Sequence, residues 1–132
     1  MNATAIPRPA AAILVIEDEP SVSAFVTAAL QRRGYAVVEA SSGAAGIDKL
    51  RSGAFAGVIS DIRMPGDING ADVHAWISKN RPDLAARIIL ISGDTANSET
   101  QSLLASSPTP CLEKPFRVQQ LISTVEKTFG KP

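Results

Sequence analysis

Val58-Ile59-Ser60-Asp61-Ile62-Arg63-Met64-Pro65-Gly66 is a short apolar run that delivers an aspartate and then turns at once. Residues 55–59 are apolar in succession, which suits a strand covered on both faces, an inner strand of a parallel sheet. Pro65 and Gly66 stop it. In open parallel sheets ligands gather outside the carboxyl ends of the strands, so an acid in that position faces a crevice and not the core. Asp61 is therefore the residue on which the chemistry is placed. A strand-end Asp that only caps the following turn is the ordinary alternative, and the rest of the chain must decide between them.

Upstream, Ala12-Ile13-Leu14-Val15-Ile16 repeats the pattern, a continuous apolar strand that ends in Glu17-Asp18-Glu19-Pro20. From Ser21, Val22, Phe25, Val26, Ala29 and Leu30 fall at helical spacing, and Gly34 is placed to end that helix in a left-handed cap. Residues 35–40 read as a second strand. Ser41 or Ser42 can then cap a helix through Ile47 and Leu50 to Gly53. Downstream, a turn through Gly66, Asn69 and Gly70 precedes a helix marked by Val73, Trp76 and Ile77, which stops before Arg81-Pro82. Residues 87–91 give a fourth strand ending in Ser92-Gly93-Asp94. Residues 95–106 are weakly helical, with only Ala96, Leu103, Leu104 and Ala105 to bury, so the fourth helix is expected to be the loosest element. A short strand at Cys111-Leu112 leads into Glu113-Lys114-Pro115, and Val118, Leu121, Ile122, Val125 and Phe129 mark a final amphipathic helix.

Strands alternating with helices predict an α/β fold of right-handed crossovers. The expected architecture is a doubly wound, five-stranded parallel sheet of order 2-1-3-4-5, flavodoxin-like, with five helices. That order converges Glu17 and Asp18 from the first strand, Asp61 from the third, Ser92 from the fourth and Lys114 from the fifth. Three carboxylates beside one lysine are costly unless a cation neutralises them. Mg²⁺ is the expected ion, being a hard cation that takes one or two carboxylates together with waters and phosphate oxygens.

The 132 residues suit one domain, here residues 12–130 behind an Ala/Pro-rich tail or linker at residues 1–11. Lys+Arg and Asp+Glu number 13 each, so no net charge points to nucleic acid or an anionic membrane. A single Cys111 allows no internal disulfide, and no apolar run reaches bilayer length. Without a signal-like start, the expectation is a cytoplasmic protein with no membrane contact by this domain.

Five blocks in order resemble the receiver domains of bacterial response regulators: Glu17-Asp18, Asp61 with Met64-Pro65-Gly66, Asn69-Gly70, Ser92-Gly93, and Lys114-Pro115-Phe116. The resemblance implies that Asp61 accepts a phosphoryl group from a histidine kinase or histidine phosphotransfer domain. Glu17, Asp18, Asp61 and the backbone carbonyl of Arg63 would hold Mg²⁺. Ser92 would donate to the aspartyl phosphate, Lys114 would pair with it, and Lys114-Pro115 would be cis. The Ala/Pro tail and the run from Pro110 to Phe116 look most like receivers at the C-terminal end of hybrid sensor histidine kinases.

Two features depart from the family. Where it commonly has an inward-turning Tyr or Phe, three residues before the lysine, this chain has Cys111, so Ser92 and Cys111 form an altered switch position. The loop of residues 64–70 also looks one residue longer than the commonest form. Arg63 and Asp94, two residues beyond Asp61 and Ser92, are expected at the rim of the crevice, where their opposite charges could pair.

Rival readings are poorer. Aspartate phosphatases want a second acid two residues after the nucleophile, where Arg63 stands, and no glycine-rich phosphate loop is present. A receiver-like binding module that is never phosphorylated is the remaining alternative. His74 reads as a surface or half-buried structural residue, Cys111 as a small buried one and Trp76 as core. Arg117, Glu126 and Lys127 read as a solvated face. The uncharged faces of the last two helices predict a monomer or weak dimer.

Overall fold

A computed structural model describes residues 11–93, 98–106 and 109–132 of the chain. The continuous apolar runs become β1 (Ala12–Ile16), β3 (Phe55–Asp61) and β4 (Ile88–Ser92), flanked by the shorter β2 (Val37–Ala40) and β5 (Cys111–Glu113). All pairs are parallel and the order is β2-β1-β3-β4-β5, as the sequence predicts. Alternate residues of each inner strand point to opposite faces, so both faces must be covered. Leu14 and Ile16 join one core with residues of α2 (Gly43–Ser52), α3 (Gly70–Asn80) and α4 (Ser98–Ser106). Ile13 and Val15 join the other with residues of α1 (Pro20–Arg32) and α5 (Val118–Phe129).

The helix ends follow local chemistry. Pro20 occupies the first turn of α1, where its missing N–H is no loss, and Gly34 leaves the helix at φ +104°. Ser42 caps α2 by accepting from Ala45 N at 3.1 Å. Asn69 and Asp72 cap α3 reciprocally, at 2.9 and 3.0 Å. Leu121, Val125 and Phe129 are the buried stripe of α5, each contributing about 1.5–3 kcal/mol through burial.

Several expectations shift. The second strand starts at Val37, because Tyr35 N bonds Leu30 O at the exit from α1 and its hydroxyl donates to Gly130 O at 2.7 Å. Phe25 and Val118 fit the helical stripes by spacing yet are 40% and 45% exposed, since they lie at the open edge between α1 and α5. Glu126 is no solvated bystander: its Oε2 accepts from Arg33 Nη2 at 2.8 Å, tying α5 to α1. Trp76 packs against the core only partly buried. Within α4, Leu103 and Leu104 are half-buried and Ala105 is exposed, in keeping with a loosely packed helix; Ala96 lies outside the described residues.

Arg81 does work the sequence did not advertise. Its Nη1 donates to Leu50 O at 2.6 Å and Gly53 O at 2.8 Å, satisfying carbonyls at the C-terminal end of α2 that have no helical partner. Arg81→Ala is expected to cost about 1–3 kcal/mol, read as a lowered urea midpoint with the slope unchanged. An unchanged midpoint would remove this anchoring role.

Candidate functional site

Strand register sets the site. Ile16 pairs with Ser60, Asp61 with Ile91 and Ser92 with Glu113, so Glu17, Asp61, Ser92 and Lys114 emerge at neighbouring levels of one sheet edge. Glu17 and Asp61 are buried at 2% and 3% exposure, and Ser92 is fully buried. Lys114 N donates to Ser92 O at 2.8 Å, which locks the start of the β5–α5 loop to the end of β4. The Lys114–Pro115 peptide is cis.

Lys114 Nζ lies 2.7 Å from Asp61 Oδ2, 2.8 Å from Glu19 Oε1 and 3.3 Å from Glu17 Oε1. The first two are hydrogen bonds. The third is an ion-pair approach only, since buried Glu17 Oε1 has no hydrogen-bond partner. Asp61 Oδ1 accepts from Arg63 N at 3.0 Å, and Glu17 Oε2 from Glu19 N at 3.2 Å. Burial, then the nearby Asp61 charge, pushes Glu17 up to about 7. Burial opposes the charge of Lys114, but its bonds to Asp61 and Glu19 outweigh that and raise it above an ordinary lysine.

Glu17, Glu19 and Asp61 bring carboxylate oxygens within 4.8 Å of one another. Glu19, not singled out from the sequence, thus joins the two buried acids at the mouth of the crevice. Asp18 is half-buried and, together with Glu17, lines an adjoining cleft that also includes Ser23, Glu39 and Ser41. Adjacent acids in a loop cannot be ranked by strand alternation, so sequence carried no signal for which one faces Lys114. Arg63 is exposed, while Asp94 lies outside the described residues, as does any pair between them.

Cys111 is half-buried against the α2–α4 core, and burial, then Glu113 and Asp61, pushes its thiol up, leaving it protonated and small. His74 is also half-buried, with its Nε2 3.0 Å from Thr109 Oγ1. Behind Asp61, Gly70 N donates to Ile62 O at 2.8 Å, and its Cα approaches the β3 backbone too closely for a side chain. Beside the crevice, the rings of Phe25 and Phe116 meet with centroids 5.9 Å apart and planes tilted by 55°, along an open groove of about 500 Å³ that includes Gly93, Lys114 and Pro115. A larger groove of about 900 Å³ runs between α1 and α5, away from the carboxylates.

A doubly wound parallel sheet whose carboxyl edge gathers buried acids around one lysine defines a phosphoacceptor domain of the flavodoxin-like class. The chain belongs to the response regulator receiver domain family, which matches residues 13–126. It is 33% identical over 123 residues to sensor kinase CckA of Brucella abortus, spanning 92% of this chain but 13% of that protein. It is 30% identical over 115 residues to the receiver protein CpdR of the same organism, spanning 87% of this chain and 93% of that one. Among solved structures, the response regulator TrrA of Thermotoga maritima, in complex with Mg²⁺-BeF, superposes at TM-score 0.76 with 34% identity, covering 89% of this chain and 98% of that one. A receiver domain from Methanospirillum hungatei gives TM-score 0.82 at 21% identity, covering 92% and 94%, a likeness of fold. The chain is thus a receiver of two-component signalling, a class that works with histidine kinases or phosphotransfer proteins. No helix among the described residues is long and apolar enough to cross a membrane.

Proposed function

We propose that Asp61 is the phosphoacceptor, charged by a histidine kinase or histidine phosphotransfer domain in a Mg²⁺-dependent reaction. The observation that carries this is the buried Asp61 carboxylate held 2.7 Å from Lys114 with a second buried acid, Glu17, beside it. Phosphoryl transfer needs a positioned nucleophile and neutralisation of the phosphoryl oxygens, and little more from the protein. Lys114 supplies fixed positive charge, and Ser92, from the end of β4, would supply a hydroxyl. Arg63 N already orients the Asp61 carboxylate.

The donor set fits Mg²⁺. It offers hard carboxylate oxygens, one of them the buried Glu17 Oε1 that no hydrogen bond satisfies. Glu17, Asp18, Asp61 and the Arg63 carbonyl would hold the ion. Bound there, Mg²⁺ would offset charge on the phosphoryl oxygens. The Mg²⁺-BeF complex of TrrA, at 34% identity, supports the same reading. A cytoplasmic setting, a monomeric or weakly dimeric state and no nucleic-acid contact complete it. The exposed Phe25 and the groove beside Lys114 offer a protein donor an apolar landing next to the acceptor. With Cys111 in place of a ring, switching would run through Ser92 and the packing around that thiol, not through an inward-turning aromatic.

Incubation with acetyl phosphate and Mg²⁺, followed by mass spectrometry, should place one phosphoryl group on Asp61. No uptake would favour the unphosphorylated binding module. Asp18→Ala should lower Mg²⁺-dependent phosphorylation by about 10- to 100-fold with the melting temperature unchanged, because it removes like charge and no core packing. Undiminished phosphorylation would remove Asp18 from the metal set.

A further inference from the structure

Lys114 carries three N–H donors, and in the resting crevice two are engaged, one by Asp61 and one by Glu19. The two partners differ in one physical respect. Asp61 and Glu17 side chains are 4% and 0% exposed, whereas Glu19 is 56% exposed and stands at the mouth. Glu19 is also built into the entrance: it is the residue preceding Pro20 at the start of α1, its N–H holds Glu17 Oε2, and its carbonyl accepts from Ser23 N. Backbone and side chain together tie the β1–α1 loop to both Glu17 and Lys114.

We infer that Glu19 is a positioning residue, a displaceable carboxylate that holds Lys114 over Asp61 until a phosphoryl group takes its place. The inference rests on Asp61 being the acceptor. In the reaction an Asp61 carboxylate oxygen bonds phosphorus as the phosphorus–oxygen bond of the donor breaks, acetate leaving with the electron pair when the donor is acetyl phosphate. Lys114 keeps its protons throughout. The incoming group brings anionic oxygens that compete for the ammonium with the three carboxylates around it, and the contact that yields to them is the one whose loss costs least. Water resolvates Glu19 at once, whereas a buried Glu17 or Asp61 left without the lysine would be an uncompensated charge. Glu19 is therefore the partner released, and its hold on Lys114 opposes phosphoryl uptake.

The test uses the intact chain and two variants, Glu19→Gln, which keeps size and loses charge, and Glu19→Asp, which keeps charge and loses reach. Initial rates of phosphorylation by acetyl phosphate with Mg²⁺ should rise about three- to tenfold in Glu19→Gln, and by a similar factor in Glu19→Asp. Affinity for beryllofluoride with Mg²⁺, followed by amide NMR, should rise in both variants in the same proportion. Rates and affinities equal to wild type in Glu19→Gln would overturn the inference. So would a gain in Glu19→Gln with wild-type behaviour in Glu19→Asp, which would reduce Glu19 to bulk repulsion of an anionic donor. A wild-type protein that takes no phosphoryl group at Asp61 would overturn the acceptor assignment instead.

Discussion

Asp61→Asn will take up no phosphoryl group from acetyl phosphate, however long the incubation, while remaining folded. Asparagine has the same shape and keeps an oxygen for Arg63 N, which donates to Asp61 Oδ1 at 3.0 Å, so the loop after β3 should hold its course. An amide offers no anionic oxygen to attack phosphorus, and the loss should be complete. Stability answers to two opposing terms. The variant loses a 2.7 Å charged bond to Lys114, but it relieves Glu17, which burial and the Asp61 charge together push up to about 7. Lys114 retains Glu19 at 2.8 Å and Glu17 at 3.3 Å, so no buried charge is stranded. The net change in unfolding free energy should lie within about 1 kcal/mol of zero. Intact-mass and peptide mass spectrometry check the first outcome and urea denaturation the second. Label persisting in the variant would move the acceptor elsewhere.

What could be read from the chain and what could not follow different physics. The strands were legible because Leu14, Val58 and Leu90 sit in runs buried on both faces, and crossover handedness then leaves few strand orders. Asp61 and Lys114 were legible because a strand end fixes where its next residue points. Glu19 was not, since Glu17, Asp18 and Glu19 lie in a loop where the strand's alternation has ended. Long-range polar pairing was equally silent: Arg33 meets Glu126 across 93 residues, and neither position differs in pattern from a solvated helix face. Tyr35 reads as strand by β-propensity, but burial of its ring and its hydroxyl bond to Gly130 O outweigh propensity. Phe25 and Val118 show the reverse limit, since helical spacing identifies a stripe but not where the neighbouring helix stops covering it.

Gly70→Ala should be among the costliest single-atom additions to this chain, and it should strike both stability and phosphorylation. Gly70 opens α3 directly behind the acceptor. A methyl there would fall onto the Asp61 carbonyl oxygen and come within 2.5 Å of Ile62 Cα. Both are backbone, which cannot turn aside as a flexible side chain can, so either α3 or the end of β3 must move. The 2.8 Å bond from Gly70 N to Ile62 O resists the first. Overpacking of this kind costs about 1–3 kcal/mol and occasionally more. The displaced strand end is the one that aims Asp61 at Lys114, and a misplacement of about 1 Å at a reacting group can cost about 100-fold in rate. Gly66 provides the comparison. It sits at φ +99° with open space around its Cα, so Gly66→Ala bears only a conformational penalty of about 1 kcal/mol, and Asp61 keeps its aim. Urea denaturation and acetyl phosphate kinetics on both variants make the check. Gly70→Ala at wild-type stability, or no slower in phosphoryl uptake than Gly66→Ala, would show that α3 does not press on the acceptor strand as closely as this packing requires.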